Sequence, residues 1–81
     1  MAVVRVTYDQ QADAAYIYFT DPRESRSVAR MYACDPLEVG GMVNLDFDED
    51  GRVLGVEVLD ARSKLPQYLL DAAERLETEK G

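Results

Sequence analysis

Two pairs of segments alternate apolar and polar residues with a period of two, and each pair reads as a hairpin. Val3-Val4-Arg5-Val6-Thr7-Tyr8 is rich in β-branched residues, with Val4, Val6 and Tyr8 on one face and Arg5 and Thr7 on the other. Ala14-Ala15-Tyr16-Ile17-Tyr18-Phe19 is aromatic-rich and predicts the returning strand, with the polar run Asp9 to Asp13 as the turn. In the second pair, Met42 to Asp48 turns Val43, Leu45 and Phe47 inward, and Arg52 to Leu59 turns Leu54, Val56 and Val58 inward. Asp50-Gly51 between them is a preferred two-residue turn. A turn there sets Phe47 against Leu54, Leu45 against Val56 and Val43 against Val58, and a four-residue loop over 48–51 keeps the same phase. A slip of one residue would oppose Leu45 to Gly55 and Val43 to Glu57. The pattern therefore excludes an odd-length loop unless a bulge compensates.

The remaining segments carry weaker patterns. Asp21-Pro22-Arg23 interrupts the chain after the second strand, because proline fixes its own φ and restricts the residue before it. Ser25 to Cys34 alternates again, Val28, Arg30, Tyr32 and Cys34 against Ala29, Met31 and Ala33, and predicts a third strand with either face inward. Asp35-Pro36 and Gly40-Gly41 bound a loop. Asp60 to Ser63 reads as a connection, with Ser63 a candidate helix cap. Pro66 suits a first helical turn, and Leu65, Leu69, Ala72 and Leu76 recur at helical spacing, with Tyr68 beside the stripe and Asp71, Glu74, Arg75 and Glu77 off it. Glu79 to Gly81 is expected to fray. The expected architecture is α+β: an antiparallel sheet of four or five short strands with one C-terminal helix packed on a face. It forms a single domain over residues 1–81, a β region over 1–61 and a helix over 62–81.

Composition narrows the chemistry. The 81 residues contain no histidine and one cysteine, which removes Ser-His-Asp and Cys-His catalysis, imidazole acid–base work, Cys-rich zinc sites and internal disulfides. Cys34 reads as a half-buried strand cysteine. Nine Lys and Arg stand against sixteen Asp and Glu, a formal net charge of −7, so neither a nucleic-acid backbone nor an anionic membrane is attracted. The start of the sequence lacks a basic and apolar leader, and no apolar run approaches the length of a membrane span, so a cytoplasmic location is expected. A chain of this size buries only about 60% of its unfolded surface, and a partner or second copy would supply missing burial.

Two clusters are candidates for function. Asp46-Phe47-Asp48-Glu49-Asp50-Gly51 followed by Glu57 has the spacing of an EF-hand calcium loop, and carboxylates suit calcium or magnesium. The flanks do not suit it. Pro36, Gly40 and Gly41 precede the loop where a helix is required, and a period-two segment follows. In a hairpin, Asn44, Asp46, Asp48 and Glu57 fall on one face, beside Met42, Val53 and Leu59, which describes an acidic partner surface with apolar islands. At the first turn, Tyr8 joins Asp9 and Asp13, which suit the capping of backbone amides. Tyr16 and Tyr18 share a strand face and suit cross-strand packing. Arg23, Arg26 and Arg30 suit a charged edge strand. The leading reading is a non-catalytic interaction module without a cofactor, engaging a protein partner or itself through Tyr8, Asp9, Asp13, Asp46, Asp48, Asp50 and Glu57. The alternative is a divalent-cation-binding protein that uses Asp46, Asp48, Asp50 and Glu57.

The opening Tyr8-Asp9-x-x-x-Asp13-x-x-Tyr16 and the hairpin Asp46-x-Asp48-x-Asp50-Gly51-x-x-x-Gly55-x-Glu57 resemble the small bacterial family known as domain of unknown function 2283. The resemblance runs from about residue 4 to 61. The middle segment, Asp21 to Gly41, is longer than in typical members, and the segment Leu65 to Thr78 extends past the shared region. The resemblance implies a compact antiparallel β domain with no established catalytic residues. It also implies an antitoxin-like role, since some members lie beside genes for small toxins. Two features of the sequence agree with that role: an acidic protein can occupy the substrate site of a basic RNA-cleaving partner, and an amphipathic helix offers a docking element.

Overall fold

Both expected hairpins form. The computed structural model describes residues 4–21, 23–24 and 26–76, and the expectations for Val3, Pro22, Ser25 and residues 77–81 lie outside it. In chain order the elements are β1 (Arg5–Asp9), β2 (Ala14–Tyr18), β3 (Arg30–Ala33), α1 (Pro36–Val39), β4 (Val43–Phe47), β5 (Val53–Leu59), α2 (Ala61–Lys64), α3 (Gln67–Ala72) and β6 (Glu74–Arg75). β1 and β2 pair antiparallel, with Val6 opposite Ile17 and Tyr8 opposite Ala15. β4 and β5 set Leu45 against Val56 and Val43 against Val58, the pairs that alternation demands.

The tip of the second hairpin differs from an even turn. The Asp48 N–H donates to the Arg52 carbonyl at 3.0 Å and the Gly51 N–H to the Asp48 carbonyl at 3.0 Å, with Gly51 at φ +85°. The loop is therefore Glu49-Asp50-Gly51, three residues long, and it brings Phe47 opposite Val53 rather than Leu54. The register then shifts between Asp46 and Phe47, where β5 carries Leu54 as an extra residue. This bulge restores the apolar pairs below it.

Pairing of β2 with β5 joins the two hairpins into one sheet of order β3-β4-β5-β2-β1-β6. Among the described residues the sheet has six strands rather than four or five. The additional strand is β6, two residues lying parallel to β1, with Thr7 opposite Glu74 and Tyr8 opposite Arg75.

Over the described part of 62–81, the single expected helix is replaced by two short ones and β6. Leu65 is extended (φ −110°, ψ 149°) because Pro66 disfavours helical geometry in the residue before it. Ala73 is extended as well and ends α3. Leu76 accordingly leaves the helical stripe, Ala72 is exposed, and the residue of α3 that enters the core is Leu70, 1% exposed. Ser63 lies inside α2 and donates back to Asp60 rather than capping α3. The loop expected between Asp35 and Gly41 holds a one-turn helix. The Asp35 side chain accepts the Leu37 N–H, Pro36 starts the turn, and Gly40 closes it at φ +70°.

The core joins Tyr8, Ala15 and Val58 of the sheet to Ala61 and Leu70 of the helices, with Val43, Val56, Leu65 and Ala73 packed around them. A six-residue helix is about 9 Å long, whereas six strands span about 24 Å. The helices pack over the Tyr8–Ala15–Val58 row, at the strand ends nearest the β1–β2 turn, and cover only that end of one sheet face.

Candidate functional site

The first-turn residues act within the fold. The Asp9 carboxylate accepts the N–H groups of Gln11 and Ala12. Asp13, at φ +52°, accepts the Tyr8 hydroxyl at 2.7 Å and the Arg62 N–H at 3.1 Å, while its carbonyl accepts the Ala61 N–H at 2.9 Å. The Tyr8 bond lowers the Asp13 pKa, as do its contacts with Arg62, while burial opposes them. The same bond, with burial, raises the Tyr8 pKa. Tyr8 is 3% exposed, since its position in β1 points to the helix-bearing face, where the Arg75 guanidinium covers its ring. Of the surface expected here, Tyr8 is interior and Asp9 and Asp13 are occupied by backbone donors.

The hairpin acids separate. Asp48 is 6% exposed and accepts the N–H groups of Asp50 (2.9 Å) and Arg52 (3.0 Å) and the Arg26 guanidinium (3.1 Å). The Arg52 N–H is the largest influence holding its carboxyl below the usual range, against the opposing effect of burial. Asp50 is exposed at the tip beside Arg52. Asp46 accepts the Tyr16 hydroxyl at 2.5 Å, and Glu57 accepts the Asn44 amide at 3.0 Å. Asn44, Asp46 and Glu57 do share one face. Asp48 is directed instead into its own turn and toward Arg26. Among the described residues, no group of three or more acids or thiols is placed to hold a metal ion.

The face bearing Asp46 and Glu57 is polar across its width. Thr7, Tyr16, Glu57, Asn44 and Ala33 form one lateral row, and Arg5, Tyr18, Gly55, Asp46 and Met31 the next. Gly55 lies under the Tyr16 ring, where an added Cβ would stand 2.4 Å from a ring carbon. Tyr16 crosses that gap to reach Asp46. Burial first, then this hydrogen bond, raises the Tyr16 pKa, so the hydroxyl stays a donor. Tyr18 leans tilted against Tyr16, their ring centroids 4.5 Å apart, and carries the Arg5 guanidinium, itself paired with Glu74 at 2.8 Å. Donors and acceptors here satisfy one another, which holds the face rigid.

The helix-bearing face holds a surface that the sequence reading missed. Its row Tyr8–Ala15–Val58–Val43 lies under the helices. The adjacent row Val6–Ile17–Val56–Leu45–Tyr32 is half-buried up to Tyr32, which is 57% exposed. Phe47 follows, with the Arg30 guanidinium 4.9 Å from its ring. Val4 and Phe19 continue the alternation past the strand ends, and Phe19 is 49% exposed. Alternation marked Leu45, Phe47 and Val56 as inward but not as uncovered, and left the face of Tyr32 open. The available signal was length, since a helix interrupted at Pro66 is too short to cover the whole sheet.

Residues 5–62 match the family model described as protein of unknown function (DUF2283). The uncharacterized protein YuzE of Bacillus subtilis (strain 168) is 36% identical over 52 residues, covering 64% of this chain and 37% of that relative's length. No solved structure matches the chain.

Proposed function

The chain belongs to the DUF2283 family of proteins of unknown function, and from that premise we propose that it is a small, non-catalytic interaction module that docks through the open half of its helix-bearing face. The observation that supports this is the apolar strip Val6, Ile17, Val56, Leu45 and Tyr32, extended by Phe19 and Phe47, on a chain of net charge −7. A contiguous apolar patch bordered by polar residues is the usual mark of a protein-binding surface. The polar face and the acidic tip steer the approach of a basic partner, and the strip supplies the contact. An antitoxin-like role falls within this class, its support being the acidic surplus and the separate docking strip.

Pull-down of the tagged chain from its own cells tests the reading. Capture through the strip is lost with Phe19→Asp, persists with Asp46→Asn and survives high salt, because apolar contacts are not screened. Capture that survives Phe19→Asp but disappears with Asp46→Asn or with salt would move the docking surface to the polar face.

A further inference from the structure

The strip ends at Tyr32 on β3, and β3 is itself an open edge of the sheet. All four of its residues are exposed, Met31 at 55% on the polar face and Tyr32 on the helix-bearing one. Edge strands are normally blunted by proline, inward charges or cover. β3 contains no proline and one charge, Arg30, which folds over Phe47. In a chain with a large acidic surplus, a segment free of acids is where two copies meet without like-charge contact.

The ladder phase selects a register. The Cys34 N–H donates to the Val43 carbonyl at 2.9 Å, so Cys34 and Tyr32 turn their backbone groups toward β4, and Met31 and Ala33 turn theirs outward. The free ladder is bounded at both ends. The Ala29 N–H is donated inward to Phe47, and the Asp35 carbonyl accepts Glu38 and Val39 of the α1 turn. Antiparallel pairing of two identical strands about a two-fold axis places one residue opposite itself. Centring on Met31 would call on Ala29, and centring on Ala33 would call on Asp35. Centring on Tyr32 pairs Met31 with Ala33 of the other copy, twice, and uses every outward group between those bounds.

We propose that β3 pairs antiparallel with β3 of a second copy about a two-fold axis at Tyr32, producing one continuous twelve-stranded sheet. The pairing goes beyond the docking reading. It leaves both strips open, joins them end to end, and sets the two Tyr32 rings against each other at the centre.

Disulfide formation in a Cys34→Ser background tests the register, alongside sedimentation equilibrium of the unmodified chain. Residues that face themselves in a non-hydrogen-bonded antiparallel pair have Cα atoms about 4.5 Å apart, within reach of a disulfide. Met31 and its symmetry mate would be separated by about 8 Å, beyond that reach. The expected result is a concentration-dependent dimer, rapid oxidative cross-linking of Tyr32→Cys, and little cross-linking of Met31→Cys. Tyr32→Lys weakens association by about tenfold or more and leaves the melting temperature of the monomer unchanged. A chain that remains monomeric at its highest soluble concentration overturns the proposal. So does equal cross-linking at both positions, or none at Tyr32→Cys. Because these measurements use the purified chain, they stand apart from the capture experiment.

Discussion

The two ends of the sheet are built alike and finished differently. Each continues the same alternating strands, and each is tied by one aspartate with a depressed pKa, Asp13 at one end and Asp48 at the other. Asp13 binds the backbone of Ala61 and Arg62, the start of the helical layer, and the neighbouring row Tyr8–Ala15–Val58 lies under Leu70. Asp48 binds its own turn and Arg26, neither of which carries a helix, and the row beside Phe47 stays open. An apolar alternation thus specifies which side of a strand seeks cover. Whether cover arrives depends on where the next element is fastened.

This contrast is tested most strongly by deleting core volume. Leu70→Ala is expected to cost about 2–5 kcal/mol in urea unfolding, the range for buried leucines. A similar loss at an open-end residue would erase the distinction. Gly55→Ala is expected to cost about 1–3 kcal/mol, since the new methyl meets both the Tyr16 ring, which must move, and the Ile17 carbonyl. The Tyr16 ring resonances report that movement.

The aspartates give a pH test. A carboxyl whose folded pKa is depressed contributes stability that is fully present above its unfolded pKa and is lost as pH falls through the folded one. Asp48→Asn and Asp13→Asn therefore each flatten the acid limb of unfolding below about pH 4. Only Asp13→Asn also speeds amide exchange at Arg62, because only Asp13 holds the helical layer. Equal exchange there in both variants would contradict the division of roles. Tyr16→Phe removes one hydrogen bond to a part-exposed acid and costs about 1 kcal/mol. Phe19→Ser, at the open end, changes monomer stability by less than about 0.5 kcal/mol. A large loss there would mean that the strip is already covered within one chain.

The sequence was most legible where side-chain period and turn chemistry agreed. Alternation and Asp50-Gly51 led directly to the Leu45–Val56 and Val43–Val58 pairs, and the same logic admitted an odd loop only with a bulge, which Leu54 supplies. The capping role of Asp9 followed from its place between two strands, whereas Asp13 leaves the turn's own amides and reaches Tyr8 and the Arg62 N–H. Less local features were hidden. Glu74-Arg75 has no strand pattern, being held through backbone pairing with β1. Leu65, Leu69, Ala72 and Leu76 do fit a helix on paper, but Pro66 and the extended Ala73 leave six residues of it. The hairpin carboxylates fit a calcium spacing that presupposes helical flanks, and extended strands send the same residues to different neighbours. The open strip was illegible for a related reason, since inward and buried are the same letter in a sequence pattern.

The three-residue loop and the Leu54 bulge cancel each other in register, and this has an evolutionary consequence. A residue gained or lost at Glu49-Asp50-Gly51 changes only the length and type of the loop, whereas one gained or lost inside β5 inverts the side chains beyond it unless the Leu54 bulge disappears in the same step. Gaps aligned across this hairpin in related sequences will therefore gather at the tip and stay out of β4 and β5, except where the bulge is lost with them. The tip can diverge in length as freely as its acidic side chains drift, while the strands below it cannot.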